Sequence, residues 1–139
     1  MAIPVTVRSL ARPKIISLDK GSSSKAAAES MLTNNVGSIV VSDSGSFVGI
    51  VTERDLIRKI IATGKNSSSV KLEEIMSRPL ITIDAGKGLG EATSLMVEKR
   101  IRRLLVTEDG KIIGIFTQRD LQQKIVDVFR SITEAESLS

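Results

Sequence analysis

Two stretches carry the residue types that can do chemistry. GIVTERDL holds Thr52, Arg54 and Asp55, and GIFTQRDL, sixty-five residues further on, holds Thr117, Arg119 and Asp120. A Thr followed three residues later by an acid, where a strand gives way to a helix, is close to a capping box. The hydroxyl accepts from an N–H of the first turn and the carboxylate reaches back to the Thr N–H. Such a cap is worth about 1 kcal/mol, and an acid in the first turn suits the helix dipole. The same geometry suits a ligand. A helix start offers N–H groups to a phosphate, Arg54 or Arg119 adds a guanidinium, and an exposed carboxylate beside them accepts both hydrogens of a ribose cis-diol. Hydrogen bonds to a charged group contribute roughly 1.5–3 kcal/mol each. Capping and binding are compatible, and the residues alone leave both open.

The composition narrows the chemistry. The 139-residue chain has no Cys, which excludes disulfides, thiolate metal sites and a Cys nucleophile. It has no His, the commonest general base and metal ligand. Trp and Tyr are absent, and Phe occurs only at Phe47, Phe116 and Phe129. Lys-based or carboxylate-based catalysis remains. Asp19 and Asp84 are candidate paired carboxylates, although starting a turn or capping the next helix suits them better. The net charge of +4 allows an anionic partner but is also ordinary surface basicity. The chain has no run of 18 apolar residues, so no membrane span is expected. The opening MAIPVTVRSLARP is interrupted by Arg8 and Arg12 too early for a secretory signal. The expected location is cytoplasmic.

The elements that position these residues are written twice. From Ile16 onward the chain aligns with itself at a shift of sixty-five, without gaps: Asp19 meets Asp84, Ala27 meets Ala92, and Met31 meets Met96. Pro13 and Pro79 match only after a one-residue slip. Ile15 to Leu18 and Leu80 to Ile83 are short β-rich runs. SSKAAAESMLTNN and GLGEATSLMVEKR carry apolar residues at helical spacing, among them Met31, Leu32, Leu95 and Met96. Ser23 or Ser24 is the candidate cap of the first. Two strands then flank Ser44-Gly45, and two more flank Asp109-Gly110, a good hairpin pair. The last helix of each copy has a broad apolar stripe: Leu56, Ile57, Ile60 and Ile61 in one, Leu121, Ile125, Val128, Phe129 and Ile132 in the other. The fold is expected to be α+β, as two β-α-β-β-α repeats over residues 5–65 and 66–132, with Thr63 to Lys71 as linker and a polar tail over 133–139.

A repeated β-α-β-β-α unit with G-h-h-T-x-R-D-L at the last strand–helix junction resembles the cystathionine-β-synthase-type (CBS) domain, here as one tandem pair. The resemblance implies two repeats packed with pseudo-two-fold symmetry and a stand-alone regulatory module, not an enzyme. It implies no cofactor but an adenosyl ligand: AMP, ADP, ATP or S-adenosylmethionine, held in clefts that draw on both repeats. Carried over by position, one cleft would use Thr117, Arg119 and Asp120 with Ser17. The other would use Thr52, Arg54 and Asp55 with Thr82. Basic residues just before the second strand often touch phosphate in this family. Here the second copy has Lys99, Arg100, Arg102 and Arg103, where the first has Gly37 and Ser38 opposite the last two. The Asp120 cleft, lined also by Ser38, is therefore expected to be the tighter. Arg102 and Arg103 cannot both face it, because strand neighbours point to opposite faces; a solvated helix end is the alternative reading of the cluster.

The wide stripes and the resemblance together imply a homodimer built through the last helix of each copy, with a protein partner of unknown identity as output. A nucleic-acid binder is the competing reading. It has the charge but lacks aromatics for base stacking and any recognised reading motif. An assembly module with empty clefts is the third.

Overall fold

A computed structural model describes residues 5–138. In chain order the elements are α1 (Val7–Leu10), β1 (Ser17–Asp19), α2 (Ser24–Asn34), β2 (Ser38–Asp43), β3 (Ser46–Thr52) and α3 (Glu53–Leu56), which runs on into a π-helical turn, Ile57–Ile61. There follow α4 (Leu72–Ile75), β4 (Thr82–Asp84), α5 (Leu89–Lys99), β5 (Arg103–Glu108), β6 (Lys111–Thr117) and α6 (Gln118–Leu138). The α+β class and the doubled β-α-β-β-α order are as expected from the sequence. The first strand of each copy starts slightly later than its apolar run suggests.

The chain divides into two compact units. Ile15–Ile81 form one; the residues before Ile15 and those after Ile81 form the other. The sequence repeats, expected to part at residues 65 and 66, are thus offset from the compact units, which part after Lys14 and after Ile81. In each unit a strand runs parallel to the second, which pairs antiparallel with the third: β1-β2-β3 and β4-β5-β6. The hairpins close as sequence predicts. Ser44 and Gly45 have φ of 51° and 84°, Asp109 and Gly110 of 51° and 77°. Two successive positive-φ residues match the twist of the flanking strands, and small or Asx residues with Gly tolerate them.

In the Ile15–Ile81 unit, Ile39, Val41 and Val51 pack with Ala27 and Met31 of α2, Ile60 of the π turn, and Leu72 and Ile75 of α4. The sixty-five-residue counterparts of the strand and α2 residues, Leu104, Val106, Phe116, Ala92 and Met96, are buried as well, whereas Ile125, the counterpart of Ile60, is exposed. The linker is part of the first of these units, not a spacer: Val70 O accepts from Ser24 N at 2.8 Å and from Ser24 Oγ at 2.9 Å. Ser23 is the cap, accepting from Ala26 N at 3.0 Å, and Ser24 is the buried first residue of α2. Leu32, one of the apolar residues at helical spacing, is exposed, as is its counterpart Val97. The segment expected as a loose polar tail continues α6 to Leu138; Ser139 lies outside the described residues.

A short segment is also laid along the free edge of the last strand in each unit. Arg12 exchanges backbone hydrogen bonds with Ile115 (2.8 and 2.9 Å), and Ser77 does the same with Ile50 (3.1 and 2.9 Å). Gly114 and Gly49, the first residues of the repeated eight, make room for it. A Cβ on Gly114 would lie 2.6 Å from the Arg12 carbonyl oxygen; one on Gly49 would lie 2.6 Å from Met76 Sδ and 3.1 Å from Ser77 O.

Candidate functional site

Both T-x-R-D stretches form complete capping boxes. Asp55 N donates to Thr52 Oγ1 at 3.2 Å, and Asp55 Oδ2 accepts from Thr52 N at 2.9 Å and Thr52 Oγ1 at 3.1 Å. Thr117 and Asp120 repeat the arrangement at 3.2, 2.9 and 2.9 Å. The carboxylates are therefore not the exposed groups that the ligand reading anticipates. The Asp120 side chain is 7% exposed and that of Asp55 14%. Each turns its Oδ2 back onto its own helix start, and each Oδ1 is taken by a cation. Arg12 Nε donates to Asp120 Oδ1 at 2.7 Å. Lys59 Nζ, one turn along the same helix, stands 3.3 Å from Asp55 Oδ1 and donates to Ile75 O at 2.7 Å.

The strand register decides which expected residues meet. Directly paired residues project to the same face of a sheet, and strand neighbours to opposite faces. Ser38 pairs with Thr52, and Val40 pairs with both Ile50 and Ser17. Ser17, Ser38, Ile50 and Thr52 thus share the face turned away from α2. In the other unit Arg103 pairs with Thr117, and Leu105 pairs with both Ile115 and Thr82, so Thr82, Arg103, Ile115 and Thr117 share the corresponding face. Of the two neighbouring arginines, Arg103 is the one that shares the sheet face of Thr117. Arg102 falls on the other parity, is exposed, and its carbonyl accepts from Gln118 N at 2.8 Å. Of the remaining basic cluster, Lys99 ends α5 and Arg100 is its left-handed C-cap at φ 56°, as Asn35 is for α2 at 52°. Those two are a helix end. Arg54 and Arg119 are exposed in the first turns of α3 and α6.

Thr82 also lines a shallow open groove with Asp84, Lys87, Glu91, Ser94 and Glu98. Three carboxylates against one lysine make that groove hostile to a phosphate. Asp19 and Asp84 make the turns expected of them, accepting from Gly21 N and Gly86 N at 2.9 Å. Among the described residues no group of three or more acidic side chains could hold a metal, and no helix is long and apolar enough to cross a membrane.

Sequence reasoning missed Arg12 and Lys59. Lys59 was within reach of it, since an acid four residues before a lysine on a helix is a recognised pair. Arg12 is 108 positions from Asp120, and nothing local announces the contact.

The sequence and the fold have counterparts in known proteins. Protein MK0525 of Methanopyrus kandleri is 40% identical over 121 residues, which is 86% of this chain and 62% of that relative's length. A crystal structure of a protein from Pyrococcus horikoshii superposes with a TM-score of 0.81 at 36% identity, covering 89% of this chain and 94% of that one. The CBS domain pair of protein MJ0100, solved in complex with 5′-methylthioadenosine and S-adenosyl-L-methionine, superposes with a TM-score of 0.79 at 24% identity, covering 90% and 98%. The CBS domain pattern itself matches residues 7–62 and 72–127. With both copies of the repeat matched, this chain belongs to the CBS-domain family and carries a tandem pair.

Proposed function

We propose that this pair is a regulatory, non-catalytic module that binds an adenosine nucleotide or related adenosyl ligand. The observation that carries the reading is the doubled station at the strand–helix junctions. In each unit a hydroxyl or basic side chain, an apolar strand residue and a capped helix start gather on one sheet face. Grouped by unit, Thr52, Arg54 and Asp55 go with Ser17, Ser38 and Ile50, and Thr117, Arg119 and Asp120 go with Thr82, Arg103 and Ile115; this differs from the grouping carried over from the family resemblance, which put Ser17 and Ser38 with Asp120 and Thr82 with Asp55. The exposed arginine suits a phosphoryl group, since the first and third amides of each helix start are already taken by a preceding carbonyl and by the Thr hydroxyl; the isoleucine suits a base, and the carboxylate suits a ribose. The adenosyl compounds held by the MJ0100 pair are of the class proposed here.

The test is a thermal titration with AMP, ADP, ATP and S-adenosylmethionine. A ligand at 100 times its Kd is expected to stabilise the protein by about 2.7 kcal/mol. Asp55→Asn and Asp120→Asn keep an oxygen for the Thr N–H but turn an amide donor toward Lys59 or Arg12, so each is expected to melt below the parent, though above its alanine counterpart, and to respond less to ligand. If no ligand shifts the parent, the reading fails.

We further propose self-association through the last helices. Ile57 and Ile61 are 56% and 72% exposed, and Ile125, Phe129 and Ile132 are 46%, 64% and 49% exposed. Positions 125, 128, 129 and 132 form one stripe of α6, which water solvates poorly. Phe129→Glu is expected to convert a dimer to a monomer in analytical ultracentrifugation; an unchanged sedimentation coefficient would reject this face as the contact.

A further inference from the structure

We propose that Arg12 guards the Asp120 carboxylate and sets how tightly that site takes a ribose. The inference rests on the nucleotide reading above and adds a residue that the repeat does not supply. Asp120 Oδ2 already accepts from Thr117 N and Thr117 Oγ1, and Oδ1 accepts from Arg12 Nε at 2.7 Å. A vicinal diol needs two acceptor positions on one carboxylate, and most of the roughly four on Asp120 are occupied. With the side chain only 7% exposed, a diol reaches Asp120 by replacing Arg12 at Oδ1.

Arg12 is built for such an exchange. Its main chain is fixed by the pair of hydrogen bonds to Ile115, and its side chain lies on the sheet face shared with Thr117 because paired residues project together. The Arg12 side chain is 54% exposed, so it can swing into water without disturbing the backbone. The other unit has no equivalent. Ser77 occupies the corresponding place beside Ile50, and its short hydroxymethyl stands where Arg12 carries a guanidinium. Asp55 is met instead by Lys59 from its own helix, at the longer distance of 3.3 Å. The two stations share a motif but are gated differently.

The experiment is calorimetric titration with AMP and with 2′,3′-dideoxyadenosine 5′-monophosphate, which lacks the diol. The proteins are the full chain, Arg12→Gln and Arg12→Lys, all in an Asp55→Asn background so that the Asp120 station reports. Arg12→Gln is expected to tighten AMP roughly five-fold or more, a coupling at the low end of the usual range between linked interactions. It is expected to leave the dideoxy compound unchanged. Arg12→Lys, which keeps a cation at Oδ1, is expected to stay nearer the parent. A merely structural role for Arg12 would lower the melting temperature without separating the two ligands. If the parent binds AMP and Arg12→Gln binds it equally or more weakly, or tightens both compounds alike, the guard is refuted and the nucleotide reading stands. If neither protein binds, and the chain with Asp55 intact does not bind either, both fall together.

Discussion

Asp120→Ala is expected to lower the melting temperature by roughly 10 °C, the equivalent of about 3 kcal/mol for a chain of this size. Three hydrogen bonds end on this carboxylate, and removing it leaves the Thr117 N–H and hydroxyl at the start of α6 without their acceptor. Loss of the cap accounts for about 1 kcal/mol. The rest comes from the hydrogen bond to Arg12, discounted because that side chain is 54% exposed and recovers hydration when the pair is lost. Asp55→Ala is expected to cost less, about 2 kcal/mol, because its cap is the same but its cation stands farther off. Thermal denaturation of the two variants side by side checks the order. Equal costs would mean that Arg12 contributes no more to its unit than Lys59 does to the other.

Gly114→Ala is expected to be as damaging, at about 3 kcal/mol, through backbone crowding. The added methyl would sit 2.6 Å from the Arg12 carbonyl oxygen and 3.2 Å from its carbonyl carbon, and neither can rotate away as a side chain can. The segment carrying Arg12 must lift off β6, so amide protection at Arg12 and Ile115 should fall in hydrogen exchange. Gly49→Ala is expected to be milder. Its nearest neighbour is Met76 Sδ, the far end of a flexible side chain, although Ser77 O lies behind it at 3.1 Å. Gly90→Ala, with nothing within 4 Å, is the control and should be neutral or slightly stabilising. A Gly114→Ala protein that melts with the control would show that the segment yields freely.

Much of the site was legible because it is local. Thr52 and Asp55 are three residues apart, so a capping box follows from spacing alone. Ser44-Gly45 and Asp109-Gly110 announce their turns by residue type. The pairing of Ser38 with Thr52, and of Arg103 with Thr117, was not legible: counting back from each turn gives Val51 and Phe116, and a register shift at Val41/Ser42 and at Val106/Thr107 moves the partner on by one. What escaped was non-local. The burial of Asp120 depends on an arginine 108 positions away. The glycine that opens each repeated eight has a reason only once Arg12 and Ser77 are laid beside it. The π-helical turn at Ile57–Ile61 carries no composition signal that would separate it from an α-helix. The exposure of Leu32 and Val97 follows from where the helix faces, not from their apolar character.

The offset between sequence repeats and compact units has a practical meaning. The seam along which the chain was doubled is not the seam along which it holds together, because each half is braced by a piece that precedes the other half's first strand. A fragment trimmed to residue 65 keeps every strand and helix of the first copy yet loses Leu72 and Ile75 from its interior and Ser77 from its border. Ile15–Ile81 is the span that keeps them, and a shortened version of this protein should be cut there and not at the repeat.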